Sequence, residues 1–420
     1  MRHLFSRFTD RFAVLVPKSA RATAQIDLIA AVLYGLFGGL TTPFIPVIGR
    51  RMGASTLAVS LLVAAPALVL LLSLWWANVV RRSHPVRLVV WGAAIGRCLF
   101  LLTPWVHHPA AYVAMVLGYH AIASIGQLGY AQVMRAVYPA DARGRIMGLV
   151  RVGMALAWIV GSLIGGRLMD AVSFRWVFAA AGLIGAASAL VFSAIRAPDV
   201  EDEEDRITLR GTMSVLRENR SFARLLTGFF IFGFGGWMMS AAVPILLVDV
   251  LQASTFQVGL LGAVTSGMWL VAYYGWGRTI DRRGPAQALS TIFLLGACTP
   301  VIFLLAGNAW MALPAGLTDG STSAGVDLGW LTAILVYAPE GQVRHYVAIF
   351  NTLVGIRGFA APLLASVLVP VPSIGPRGIF VISTLLMLSG AWVMRAAASA
   401  RKEARHVAAA AGQHAPSTDR

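Results

Sequence analysis

The sequence predicts an all-α integral membrane fold, with twelve transmembrane helices arranged as two pseudo-symmetric six-helix bundles. Three observations predict it. The 420 residues are 58% hydrophobic and only 12% charged, whereas a soluble domain carries about 25% charged residues. Apolar runs of roughly 20 residues recur from Ile26 almost to the end, each long enough to cross a bilayer as a helix. The chain also repeats itself at about half its length. Ser55-Thr56-Leu57 returns as Ser254-Thr255-Phe256, Gly96-Arg97-Cys98 as Gly296-Ala297-Cys298, Gly38-Gly39 as Gly235-Gly236, and Tyr138-Pro139 as Tyr337-Ala338-Pro339. Duplicated membrane halves are a common plan for transporters, with the substrate site where the halves meet.

The N-tail, 1–23, is broken by Arg2, Arg7, Arg11, Lys18 and Arg21, which suits a cytoplasmic segment rather than a signal peptide. The first bundle, 24–196, then holds spans at 24–48, 56–80, 86–106, 110–134, 146–169 and 175–196. Residues 197–221 are polar, with Asp199, Glu201, Asp202, Glu203, Glu204 and Asp205 followed by four arginines. They read as a solvated cytoplasmic linker with a surface helix from about Thr208 to Arg220. The second bundle, 222–398, holds spans at 222–248, 256–278, 286–307, 310–338, 345–369 and 377–397. Residues 399–420, rich in Ala with Gly and Pro, read as a disordered cytoplasmic C-tail.

Of the 34 Lys and Arg, 27 fall on the side of the termini, Arg50, Arg51, Arg167, Arg175 and Arg377 on the other, and Arg97 and Arg357 within spans. By the positive-inside rule both termini are cytoplasmic. The net charge of +16 therefore reports topology, and no nucleic-acid partner is expected. Lysine is nearly absent beside arginine, which suggests a GC-rich bacterial genome; a multi-pass helical protein of such a cell is expected in the inner membrane. Cys98 and Cys298 fall at equivalent points of the third and ninth spans, where small-residue packing is the expected role, not a disulfide or metal site.

The loop after the eighth span reads Gly277-Arg278-Thr279-Ile280-Asp281-Arg282-Arg283-Gly284-Pro285. It resembles the loop signature of the major facilitator superfamily, Gly-x-x-x-Asp-Arg-x-Gly, and the likeness extends over residues 24–398 in span count, duplication and topology. In physical terms, Gly277 permits close helix approach, Gly284 a tight turn, and Asp281 places an anion at the membrane edge. The resemblance implies that Asp281 docks at the start of the fifth span, near Arg143 and Arg145, and clips the halves together when the outside is open. The first half departs from the signature: Arg81 stands in the aspartate's place and His84 in the second glycine's. The fifth span ends Gly161-Ser162-Leu163-Ile164-Gly165-Gly166. That resembles the antiporter motif of drug-exporting members, with Ser162 replacing its proline, and it equally makes a small-residue packing face.

Ionisable groups inside a bilayer are costly and mark function. Asp27 lies near the start of the first span, where a helix N-terminus would cap it. Asp319 and Asp327 lie in the tenth span on one helical face with Thr322, Ser323, Val326 and Trp330. The two acids stand about 12 Å apart along the axis. The repeat places His120 opposite Asp319 and Gln127 opposite Asp327. Depth about the turn near Gly341 matches Asp327 with Arg357, an expected ion pair; Arg97 matches His120 and reads as a structural anchor. The family resemblance puts the first, fourth, seventh and tenth helices around a central cavity. Its expected lining is Tyr34, Phe37, Thr41, Phe44, Phe230, Phe234, Trp237, Met238, Thr322 and Ser323, with Trp158, Trp269, Tyr273 and Asn351 from helix interfaces.

Aromatic and Met-rich walls suit amphipathic or aromatic compounds. The sequence therefore reads as a secondary transporter working by alternating access, exporting an amphipathic or hydrophobic compound in exchange for protons. It is expected to be a monomer in the bilayer with no cofactor. The same residues also admit uptake of a small polar or anionic metabolite, held by Arg97 and Arg357, or a non-transporting sensor on a transporter fold. There is no Walker loop for ATP drive, and no HExxH or Gly-x-Ser-x-Gly for an enzyme.

Overall fold

A computed structural model describes residues 16–80, 85–196, 219–339 and 341–413. The described chain is a succession of helices joined by short turns. Nine are long and apolar enough to cross a membrane, from Lys18–Arg51 to Gly375–Ser399. Shorter apolar helices at Thr56–Ala67 and Val89–Trp105 stand where the second and third spans are expected. Leu313–Tyr337, which carries both Asp319 and Asp327, stands in the place of the tenth. Helices are counted below in that order, a helix broken by a kink counting once.

The repeated motifs mark helix starts and kinks. Ser254 caps the eighth helix, its side chain accepting from Gln257 N while Gln257 reaches back to Ser254 N. Ser55 does the same for the second, accepting from Ala58 N at 3.2 Å. Pro85 and Pro285 open the third and ninth helices, a position that needs no donor. At the repeated Gly-x-Cys both helices change course: Pro85–Cys98 continues as a 3-10 segment, Leu99–Trp105, and Pro285–Gly296 gives way to Cys298–Leu305.

Packing repeats with the sequence. The first helix lies on the fifth and sixth, the second on the fourth, and the third on the fourth and sixth. Adding six to each number gives the packing of the second half: seventh on eleventh and twelfth, eighth on tenth, ninth on tenth and twelfth. The halves meet through the fifth against the eighth and the second against the eleventh, one contact being the symmetry mate of the other.

The apolar core is divided unequally along the molecule. At the end away from the termini, one buried cluster runs through both halves, joining Phe37, Phe44 and Phe100 to Met239, Ile245, Phe303 and Phe380. At the terminal end there are two clusters, one per half: Ile146 and Phe192 belong to one, Phe222 and Phe293 to the other. Outward faces are apolar, as a lipid solvent requires: Val152, Leu156, Val160, Ile164 and Leu168 form an exposed stripe at helical spacing on the fifth helix. Trp105, Trp176 and Trp310 are exposed near the far end, where indoles suit a membrane interface.

Several expectations are corrected. The twelfth helix continues to Gln413, beyond the expected start of a disordered tail at 399; its Ala-rich sequence is a good helix former. Asp27 does not cap a helix start, because the first helix begins at Arg21 and Asp27 lies inside it. Its buried carboxylate instead accepts from Tyr138 Oη at 2.9 Å. Cys98 and Cys298 are exposed rather than packed. A Cβ at Gly277 would meet nothing within 4 Å, so that glycine is not needed for close approach. Gly284, at φ +78°, does require its freedom, ending the eighth helix and starting the ninth. Residues 1–15, Arg81, His84, and the linker through residue 218 lie outside the described residues.

Candidate functional site

A cavity of about 360 Å³ opens between the halves. Its walls come from the end of the first helix (Thr42, Pro43, Val47), the fifth (Trp158) and the seventh (Met239 to Leu247). The eighth (Val258 to Ser266), the ninth (Phe303) and the tenth (Ala315 to Asp319) complete them. The kinks place these residues. Pro43 lies in the turn between Arg21–Thr41 and Ile45–Arg51, and Pro244 lies where the seventh helix loosens into a π turn, Leu246–Val250. Proline removes a backbone donor and bends a helix, so the ends of the first and seventh helices lean away from the ideal axis.

Asp319 is half-buried and, among the described residues, is the sole charged one in that lining. Among the described residues no protein group hydrogen-bonds or ion-pairs with its carboxylate. The tenth helix is drawn against the eighth here. A Cβ at Gly320 would fall on the Thr265 carbonyl oxygen, and one at Gly316 would lie 3.0 Å from Thr265 Oγ1. Both glycines sit on one face, so Asp319 beside them projects along the edge of a tight helix pair.

Asp327, two turns further along, has different company. It lies 3.8 Å from Arg151 of the fifth helix, and Tyr273 Oη donates to it at 3.4 Å. Arg151 was not singled out from the sequence; its place at the start of the fifth span read as positive-inside charge. The expected Asp327–Arg357 pair is not made. Arg357 is buried, its Nη1 donates to the Phe229 carbonyl, and its Nε has no partner. Its guanidinium fills the space over Gly233 of the seventh helix. Depth fixed the height of the two residues, but the rotation of each helix sent them to different neighbours. Arg97 donates to the Gly185 carbonyl at 2.9 Å and to Ser188 Oγ at 3.1 Å, and lies over the Tyr34 ring. Neither arginine lines the cavity.

Most of the expected lining is turned elsewhere. Phe37 is buried against Phe100 and Tyr119. Thr41 is buried and donates to its own helix at Phe37 O. Phe44 and Met238 are buried, and their chain neighbours Pro43 and Met239 face the cavity instead. Phe230 packs on Phe234, and Trp237 lies beside Gly358. The tenth-helix face is split: Thr322 is buried with its hydroxyl unpartnered, while Ser323 is exposed. His120 stands against Tyr119, and Trp269 packs on Tyr273. Tyr34, His120, Asn351, Phe234 and Trp237 are half-buried outside this lining. The side chain of Gln127 lies outside the described residues. Of the residues singled out from sequence, Asp319 and Trp158 reach the cavity.

Around the cavity, contacts between the halves gather at the far end. Arg50 makes a forked pair with Asp249, Nε to Oδ1 at 3.0 Å and Nη2 to Oδ2 at 2.6 Å. Arg51 donates to the Ala253 carbonyl. Asp170, at the end of the fifth helix, accepts from Thr255 N at 3.1 Å, from Thr255 Oγ1, and from Phe256 N at 3.2 Å. It thus caps the eighth helix from the other half. The Gly161-to-Gly166 stretch serves packing. A Cβ at Gly161 would press on the first helix at Leu36 O, and one at Gly166 would press on Phe256 Cα of the eighth, 2.9 Å away.

At the terminal end the expected clip is open. Asp281, Arg282 and Arg145 are exposed. Arg143 is already held within its own half, donating to the carbonyls of Arg135 and Tyr138.

The Major Facilitator Superfamily model matches residues 28–362. No curated relative matches the chain. Solved structures show the same fold at low identity. A mutant of the nucleoside transporter NupG aligns over 89% of this chain and 98% of its own, with 10% identity and a TM-score of 0.69. The human organic anion transporter MFSD10 (TETRAN) aligns over 90% and 100%, with 16% identity and a TM-score of 0.64. A bacterial homolog of the human lysosomal transporter Spinster, in an inward-facing and unoccupied conformation, aligns over 91% and 96%, with 12% identity and a TM-score of 0.61.

Proposed function

The chain belongs to the Major Facilitator Superfamily and is a multi-pass secondary transporter of a small molecule, and on that premise we propose that it exports amphipathic compounds in exchange for protons. One observation carries this reading: a carboxylate without a protein partner, Asp319, faces a largely apolar cavity at the junction of two halves that share a buried apolar core at one end. An acid in that position is neutralised either by a proton or by a positively charged ligand. If each excludes the other, moving one inward drives the other outward.

The excess of Lys and Arg assigns the terminal end to the cytoplasm. The shared core at the far end supports loading from inside, as an exporter requires. Asp327, beside Arg151 and Tyr273, is the second acid on this route; protons reach Asp319 from the terminal end past it. The protein works as a monomer, each copy holding one complete pair of halves.

The test is proton flux into dye-loaded proteoliposomes, triggered by amphipathic compounds. Wild type is expected to give compound-dependent flux, Asp319→Asn none, and Asp327→Asn a reduced rate. Flux of equal size in wild type and in both variants would remove the acids from the mechanism.

A further inference from the structure

Around Asp319 the cavity offers two further acceptors, Ser240 and Thr265, while Thr42 and Ser266 add hydroxyls that can donate or accept. Asp319 is acceptor-only when ionised. Ser240 Oγ already donates to the Gly236 carbonyl at 2.9 Å, and Thr265 Oγ1 to the Leu261 carbonyl at 3.0 Å. With their protons committed to their own helices, both hydroxyls have only lone pairs left for a ligand. No Asn, Gln, His, Lys or Arg appears in the lining among the described residues. Apart from Thr42 and Ser266 the rest of the wall is apolar or aromatic, with Trp158, Phe303, Met239 and Leu261 among its residues.

We propose that this cavity binds a protonated primary or secondary amine carried on an apolar body. The ammonium N–H groups take Asp319, Thr265 Oγ1 and Ser240 Oγ as acceptors, and the apolar body lies against Trp158 and Met239. The indole face adds attraction for the positive charge. Other ligand classes each leave something unmatched. A neutral apolar compound covers the Asp319 charge without giving it a partner. An anion meets that charge directly and finds no basic side chain to hold it. A quaternary cation answers the charge but has no N–H, so it leaves the hydroxyl lone pairs dehydrated and unbonded. The cavity volume of about 360 Å³ is near the small end of the range for small-molecule sites, which favours a body of one or two rings. This names the substrate class within the transport reading above and rests on it for direction and coupling. The binding itself needs no membrane gradient.

The experiment is calorimetric titration of the detergent-purified full chain with four matched probes: phenethylamine, phenethyltrimethylammonium, 2-phenylethanol and phenylacetate. Phenethylamine is expected to bind best. Loss of the N–H contacts should weaken the quaternary analogue about tenfold, and the alcohol and acid should bind more weakly still. Asp319→Asn should bring phenethylamine down to the level of the alcohol. Ser240→Ala, a milder change that keeps the charge, should narrow the gap between the amine and its quaternary analogue. Equal affinity for those two probes in wild type would overturn the N–H part of the proposal. Unchanged amine binding in Asp319→Asn, or preference for phenylacetate, would overturn it entirely. Amine binding without proton flux would sink the exchange reading and leave this one standing; flux with equal affinity for all four probes would do the reverse.

Discussion

The two ends of the molecule hold the halves together in different ways. At the far end, one apolar core passes through both halves and is reinforced by Arg50–Asp249, Arg51–Ala253 and Asp170–Thr255. At the terminal end, each half keeps its own core. Among the described residues, the ion pair between the halves nearer that end is Arg151–Asp327 at 3.8 Å, with both side chains over 40% exposed. The lesson concerns which forces suit a moving joint. A shared apolar core and charged groups seated on backbone donors give a closed end real stability, whereas a long, wetted pair contributes little and separates easily.

That contrast can be broken one contact at a time. Cys98→Ser and Cys298→Ser remove the two native cysteines, and spin labels at Ser55 and Gln252, both exposed at the far end, report its opening by pulsed-resonance distances. The largest shift is expected from Gly259→Leu. A Cβ there would fall on the Ser162 carbonyl oxygen, and overpacking costs about 1–3 kcal/mol, so the label distance should lengthen in most molecules.

Asp170→Ala comes next. It removes the cap that one half provides for the eighth helix, worth about 1 kcal/mol, and should raise the open fraction several-fold. An unchanged distance distribution would show that the core alone closes this end.

Arg50→Ala and Asp249→Ala should each give a smaller opening, from a partly exposed pair worth up to about 1 kcal/mol. The swap Arg50→Asp with Asp249→Arg should restore closure, and added salt should mimic the single changes. Failure of the swap would mean that the forked geometry, not the charge, holds the end. Arg151→Ala is expected to do least, about 0–0.5 kcal/mol, leaving the far-end distance in place. If it opened or tightened that end more than Arg50→Ala, the ranking of the two ends would be reversed.

How much of this was legible beforehand differs between fold and site. The expected spans lie close to the observed helices, from 56–80 against Thr56–Val80 to 286–307 against Pro285–Leu305. The repeated Ser-Thr and Gly-x-Cys positions proved to be caps and kinks, both of them local features. Asp319 was visible as an acid in an apolar run, and it does face the cavity. Trp158 also reaches it, whereas three expected residues miss it by one position, Thr41 for Thr42, Phe44 for Pro43 and Met238 for Met239, because a single residue turns a helix by about 100°.

By itself, then, the sequence determined the all-α membrane fold, the two equivalent halves and the positions of the costly intramembrane charges. Hydrophobic length, local capping and duplication are properties of the chain alone, and lipid leaves helices as the solution for such runs. Only the tertiary structure decided that Arg357 turns to the Phe229 carbonyl rather than to Asp327, that Arg151 crosses to Asp327, and that Asp170 caps the eighth helix. Those choices depend on how each helix is rotated about its axis and where kinks tilt it. Rotation and tilt follow from the packing of all neighbouring helices at once, which no single segment specifies.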